Sequence, residues 1–401
     1  MVCLVLLVLP PSVSLVKAAP SIAPCAGSAF VSLSPSGRFI HREKQHNDLV
    51  IQLSTILNNQ AASNLFVYGF PGTGKTALTL DVLAKLDAEA VRRSIPLKTV
   101  YINCEENKTD ATILSSSLKV LMPDRKIPRI GWNRAKLIDE FKDYLNDHPT
   151  NLIVILDEID HTLKTSGDDI LYFLSRINDF VASRVTTIII SNDVNIGNYI
   201  KPRVTSSFGR NKIIFTPYDA SDLKRIMEDR APYCFRPDVI GEGLLERIAA
   251  AETTRRGDAR EALKLLYYCA LVAIEKKLPT IPLGVFEEAQ ERGESEAYVG
   301  IAGALPAHQK ILFLSILLNP KRVIPSEDIY SDYARYCKQF KCQPLTDRMV
   351  RNFLIYFSDM GLIYADIGWL KTLKKKTKRI TLTMPEDLKQ SLIQRLLEDL
   401  H

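Results

Sequence analysis

The sequence predicts an α/β fold with a parallel sheet, followed by an all-α unit and a C-terminal winged helix-turn-helix module. Three observations carry this. Between Leu65 and Phe215 short apolar runs alternate with helical spacings, a pattern that calls for crossover helices and therefore a parallel sheet covered on both faces. After Ala220 the strand signal stops and helical periodicity continues alone. After Leu305-Pro306, three helical segments lead into a two-strand ribbon, the plan of a winged helix.

Organised sequence begins near Arg38. Asn47–Leu57 has helical spacing, Leu65–Tyr68 is a buried strand ending in a Gly-rich turn, and Lys75–Ala90 is a helix. Thr99–Asn103 is the second strand, and helices follow at Asp110–Leu121 and Arg134–Leu145. Leu152–Leu156 is wholly apolar, as a strand buried on both faces must be, and Asp168–Ala182 is helical. Thr186–Ile190 and Lys212–Phe215 complete five strands. The all-α unit comprises Ser221–Arg230, Gly243–Ala251, Asp258–Glu275 and Gly284–Tyr298. The last module has helices at Ala307–Leu318, Ser326–Gln339 and Thr346–Met360, then strands at Leu362–Asp366 and Arg379–Met384. The domains are accordingly 38–218, 219–304 and 305–401, behind a leader of residues 1–37. Met1–Leu9 is apolar but too short to span a bilayer, which needs about 20 residues. No basic residue precedes it, so the leader reads as a poorly structured extension or an early start codon rather than an export signal.

The chain has 401 residues, 46% hydrophobic and 24% charged, which excludes disordered and collagen-like classes. Its net charge of +6 is unevenly placed: residues 305–401 hold 16 Lys/Arg against 10 Asp/Glu, leaving 36 of each sign before them. A basic end on a neutral body suits an anionic partner. The seven cysteines (3, 25, 104, 234, 269, 337 and 342) are scattered and odd in number, which fits a reducing compartment. Cys337 and Cys342 are five apart on a helical segment, and neither a second pair nor a His cluster joins them, so their spacing alone is no zinc signature.

The chemistry is concentrated in Gly69-Phe-Pro-Gly-Thr-Gly-Lys75-Thr76, which follows a buried strand and opens a helix. Glycines let the backbone wrap phosphates, and the loop amides with the helix N-terminus direct positive potential at them. Gly69, Pro71, Gly72, Thr73, Gly74, Lys75, Thr76 and Ala77 are thus the candidate nucleotide contacts. Lys75 would meet the β- and γ-phosphates, and Thr76 a Mg²⁺ ion. Asp157-Glu158 ends an apolar strand, where Asp157 would complete the Mg²⁺ shell and Glu158 polarise the attacking water. Asp160 reads as a turn former. Asn192, ending the next strand, could bond the γ-phosphate or the water, and Arg260, on a helix capped by Asp258, could reach the γ-phosphate.

Together these blocks resemble the AAA+ initiator ATPases of the origin recognition/cell-division-cycle family, archaeal replication initiators in particular. The resemblance runs from about Phe39 to the C-terminus. It includes His41-Arg42-Glu43-Lys44 as the linker before the first helix, Tyr101-Ile-Asn-Cys104, Asp157–Asp160, Arg203-Val-Thr-Ser-Ser-Phe-Gly209 and Gly257–Arg260. It implies sensor roles for Asn192 and Arg260, an arginine finger at Arg203 acting on a neighbouring protomer's ATP, and nucleotide contacts from Tyr218 and Arg230. The helical insertion at about Asn107–Arg134, with Lys119, Arg125, Lys126, Arg129 and Arg134, matches the place of a DNA-contacting segment in this family. The winged helix would present Arg348 and Arg351 from its recognition helix and Lys371, Lys374, Lys375, Lys376, Lys378 and Arg379 from its wing. That is six basic residues in nine positions with no acid among them.

The implied function is ATP-dependent binding of origin duplex DNA and recruitment or loading of the MCM helicase, with slow hydrolysis as a switch. The cofactors are ATP or ADP with Mg²⁺. The partners are double-stranded DNA, the MCM helicase and self or paralogous protomers, with no membrane. The compartment is cytoplasmic, at the nucleoid, for an archaeal member and nuclear for a eukaryotic one; the compact length favours the former. The wing tip departs from the Gly/Arg-rich pattern frequent in archaeal members, which bears on origin preference. Clamp-loader or transposition-helper ATPases, and a nucleotide-gated DNA-binding regulator, are the alternatives.

Overall fold

A computed structural model describes residues 39–128, 131–208, 211–370, 375–384 and 386–400. The leader 1–37 lies outside them. The chain divides into two compact units, one ending at Phe286 and the other beginning at Glu287.

In the first unit the order is α1 (Glu43–Leu53), β1 (Leu65–Gly69), α2 (Lys75–Arg92), β2 (Leu97–Asn103), α3 (Asp110–Leu121), α4 (Arg134–Asp147), β3 (Asn151–Asp157), α5 (Asp160–Ser166), α6 (Asp169–Arg176), β4 (Arg184–Ser191), α7 (Pro202–Phe208) and β5 (Lys212–Phe215). The α-helical part follows as α8 (Ala220–Cys234), α9 (Leu244–Arg255) and α10 (Ala259–Glu275). The strands form one parallel sheet in the order β2-β3-β4-β1-β5, with Leu65 opposite Ile188 and Val100 opposite Val154. Alternation along each strand sorts the apolar side chains to two faces. Leu152, Val154 and Leu156 join Val100, Ile102 and Phe141 on one face, while Ile153 and Ile155 join Val67, Ile188, Ile190 and Leu78 on the other. Both faces are therefore packed, which is why β3 is buried at every position. The order places β1 between β4 and β5, so the loop after β1 sits at the carboxyl edge where a doubly wound sheet binds ligands.

α3, β5 and the alternation of the sheet follow the sequence expectation. The expected helix Asp168–Ala182 instead ends at Arg176 and continues as a 3₁₀ turn, Ile177–Asp179. The Arg203 motif, to which no element was assigned, forms α7.

The second unit contains the body of α11 (Phe286–Ala304), α12 (Ala307–Leu317), β6 (Ile324–Pro325), α13 (Ser326–Gln339), α14 (Asp347–Asp359), β7 (Ile363–Leu370), β8 (Lys375–Leu382) and α15 (Glu386–Leu400). β6-β8-β7 is an antiparallel sheet with Ala365 opposite Ile380. Its core joins Phe313, Ile329, Leu354, Phe357 and Ile380. The ribbon is longer than expected toward its tip, because β8 opens with polar Lys and Thr residues that carry no apolar alternation. The sequence expectation ends with the second ribbon strand, yet 386–400 is helical. Leu388, Leu392 and Leu396 recur there every four residues, and this buried stripe makes α15.

Candidate functional site

A cavity of about 350 Å³ opens at the carboxyl edge of the sheet. It is lined by Gly72, Gly74, Lys75, Thr76, Ala77, Glu158, Asn192, Tyr218, Arg230 and Arg260. Gly69, Pro71 and Thr73 support the loop from outside that lining. Gly69 must be glycine because a Cβ would stand 2.1 Å from the Phe215 carbonyl oxygen. Thr73 is fully buried and its hydroxyl donates to the Phe70 carbonyl, 2.8 Å. The loop ends in α2, whose N-terminal amides direct partial positive charge into the cavity.

Lys75 is buried, and its Nζ donates to the carbonyls of Gly69 (2.8 Å) and Phe70 (2.7 Å). Burial pulls its pKa down to about 8, with Arg260 acting the same way and Asp157 opposing it. A buried ammonium satisfied by two neutral carbonyls is matched to an incoming anion.

Thr76 Oγ1 and Tyr101 Oη both donate to Asp157 Oδ2, each at 2.8 Å. Hydroxyl and carboxylate oxygens converging there are the hard donors that suit Mg²⁺. Glu158 adopts φ +55°, a left-handed conformation that costs a side-chain-bearing residue about 1–3 kcal/mol. It is held there by its N–H on Asp157 Oδ1 (2.9 Å) and by Asn192 Nδ2 donating to its Oε1 (3.3 Å). Burial, with Asp157 and Glu105 nearby, raises its carboxyl above the usual range. Asp160 ties the neighbouring strand end in place, accepting from the Ser191 hydroxyl (3.1 Å) and the Asn192 N–H (3.4 Å).

The α-helical part closes the other side. Asp258 caps α10 by accepting the Arg260 N–H (2.8 Å), and its second oxygen lies 3.3 Å from the Arg260 guanidinium. Asp258 also packs on the phosphate loop so tightly that a Cβ on Gly72 would lie 1.7 Å from it. Arg42 is buried. It donates to Thr73 O (3.0 Å) and Thr216 O (2.7 Å) and stacks on the Tyr218 ring at 3.8 Å. One cation thus connects the linker before α1, the loop and the start of the helical part.

Arg203 does not line the cavity. It pairs with Asp169 (2.7 Å) and with the buried Asp168 (3.6 Å), and lies over the Tyr172 ring. In the insertion, Arg125 binds Glu140 and Arg134 binds Asp110, while Arg129 lies outside the described residues.

In the winged helix, Val350, Leu354 and Phe357 bury one face of α14 and leave Arg348 and Arg351 exposed on the other. Of the wing cations, Lys371 and Lys374 lie outside the described residues, and only the backbone of Lys375 and Lys376 is described. Lys378 is half-buried in β8. Arg379 differs from a free cation: it faces Asp366 in the register and binds it through two guanidinium nitrogens, which neutralises both. Its guanidinium lies over Gly368, where a Cβ would come within 2.4 Å of it.

Comparison with known proteins decides the family. Residues 58–191 match an AAA domain, 224–291 a Cdc6 AAA+ ATPase-type lid domain, and 302–390 the CDC6 C-terminal winged helix domain. An ORC1-type DNA replication protein of Thermococcus onnurineus is 33% identical over 82% of this chain and 80% of its own length. The chain belongs to the ORC1-type DNA replication protein family. A second ORC1-type relative, from Sulfolobus acidocaldarius, is 34% identical over 87% of each chain. The structure of the Aeropyrum pernix ORC1 protein in complex with DNA matches with a TM-score of 0.82 at 26% identity, covering 93% of this chain and 98% of that one.

Three residues of this ORC1-type chain escaped the sequence reading as site components. Arg42 lay inside a recognised block without a role. Tyr101 was read as strand, and Asp258 as a cap. Each acts across 31 to 186 positions of sequence, on Thr73, Asp157 and Gly72, so local pattern carried no sign of it.

Proposed function

We propose that this chain is an ATP-dependent replication initiator that binds origin duplex DNA and recruits or loads the MCM helicase, with slow ATP hydrolysis as its switch. The observation that carries the reading is the convergence of Lys75, Glu158, Asn192 and Arg260 on one cavity in a chain of this family. Lys75 and the loop amides hold the β- and γ-phosphates, and Tyr218 and Arg230 close the pocket at the base. Thr76 and Asp157 hold Mg²⁺, which when bound offsets phosphate charge. Glu158 takes the proton of the attacking water, Asn192 orients it, and Arg260 senses the γ-phosphate from the helical side. Arg203 serves a neighbouring protomer's ATP, with Asp168 and Asp169 aiming its guanidinium.

Arg348, Arg351 and the wing lysines meet the DNA phosphates, as supported by a DNA complex of the Aeropyrum pernix relative. Arg379 shapes the ribbon through Asp366. The domain limits 38–218, 219–304 and 305–401 are part of the proposal, as is a cytoplasmic, nucleoid-associated location like that of an archaeal initiator. Glu158→Gln is expected to retain ATP affinity and lose turnover by about 100-fold or more, read by nucleotide binding and phosphate release. Turnover that survives the substitution contradicts the base role, and ATP affinity unchanged in Lys75→Ala contradicts the pocket.

A further inference from the structure

The second unit carries a cluster that the nucleotide and DNA readings leave unused. α13 ends in a Schellman turn: Lys341 takes φ +56°, its N–H donates to Lys338 O (3.2 Å), and the Cys342 N–H donates to Cys337 O (2.9 Å). Such a turn folds the residue after the helix back onto the residue five before it, which here brings two thiols together. From the first turn of α12, His308 approaches the same place, with Nδ1 2.9 Å from the Tyr333 oxygen. One atom each from His308, Cys337 and Cys342 lie within 4.8 Å of one another. Cys337 is fully buried, and Cys342 is partly so.

We propose that His308, Cys337 and Cys342 form a zinc site, with a solvent molecule or the adjacent Tyr333 oxygen as fourth ligand. Two thiolates and an imidazole are the donor set of tetrahedral Zn²⁺ and a poor match to Mg²⁺ or Ca²⁺. Zn–S and Zn–N bonds of about 2.0–2.3 Å put ligand atoms about 3.5–3.8 Å apart, so closure needs side-chain shifts of about 1 Å. Binding releases the two thiol protons to solvent. The metal ties α12 to the end of α13 and fixes the turn of residues 340–346. That turn leads into α14, which carries Arg348 and Arg351, so the site stiffens the helix-turn-helix itself. Sequence spacing hid this, because His308 lies 29 positions before Cys337 in a different helix.

The test uses the untagged full chain, reduced and freed of metal, and titrated with Co²⁺ and then Zn²⁺. One equivalent of Co²⁺ is expected to give thiolate-to-metal absorption in the near ultraviolet with tetrahedral bands in the visible, both erased by Zn²⁺. Cys342→Ser, at the partly exposed position, should keep the native circular dichroism and weaken Zn²⁺ by more than about tenfold, as should His308→Gln. Absence of the cobalt bands, zinc retention equal in wild type and Cys342→Ser, or a Cys337–Cys342 disulfide forming in the metal-loaded protein would each overturn the site.

Discussion

Lys75 is an ammonium buried among carbonyls of its own loop, and the proposed function therefore predicts that nucleotide binding takes up a proton. Its pKa is depressed to about 8, chiefly by burial. Phosphates beside it favour the charged form and raise that value. Between the two pKa values the complex holds one proton more than the free protein, so affinity falls as pH rises above 8. The expected slope approaches a tenfold loss of ATP affinity per pH unit, measured by titration between pH 7.5 and 9.5, with proton uptake visible in buffers of different ionisation enthalpy. An affinity flat across that range contradicts the assignment. Arg42 works at the same scale. It ties Thr73 to Thr216 and stacks on Tyr218, so Arg42→Ala strips two carbonyls of their donor and the ring of its cation. The cost should be about 3 kcal/mol or more of folding stability, seen as a lowered thermal midpoint.

At the scale of elements, the residue that caps α10 packs directly on the phosphate loop at Gly72. Gly72→Ala puts a methyl on a left-handed position (φ +71°) where the Asp258 carboxylate now sits, so it strains the loop and displaces the side chain that caps α10 and holds Arg260. ATP affinity should fall by about tenfold or more, while Asp258→Gly in the same chain restores part of it; two losses that simply add would contradict the steric account. The elements also show what sequence can reveal. Leu152–Leu156 announces a buried parallel strand because apolar residues on both faces admit no other use, and the glycines of 69–74 announce the loop. β8 was legible only in part, since its opening Lys and Thr residues are stabilised by pairing with β7, a partner that local pattern does not contain. α15 carries a leucine stripe, Leu388, Leu392 and Leu396, that a periodicity of four would have revealed. At the site, the residues within each motif were legible, while Arg42, Tyr101 and the Asp258 contact with Gly72 arise from folding across the sheet edge.

For the whole molecule, the charge asymmetry noted in the sequence turns into an electrostatic expectation. The +6 of residues 305–401 includes an exposed pair on α14 and the wing run, with Arg379 set aside by Asp366. Each lysine or arginine that meets a phosphate contributes about −0.9 to the slope of log K against log salt. Arg348→Ala and Arg351→Ala should each reduce that slope by about one and weaken binding on every sequence alike.

The proposed function requires one chain to couple an ATP pocket to duplex binding. Its most direct test is a fluorescence-anisotropy titration of the full-length protein on origin and random duplexes, with ATP and with ADP, across a salt series. Binding is expected to be tight at low salt, to fall steeply with salt at a slope of about −4 to −6, and to differ between ATP and ADP. No binding at low salt, or identical curves with the two nucleotides, would contradict it.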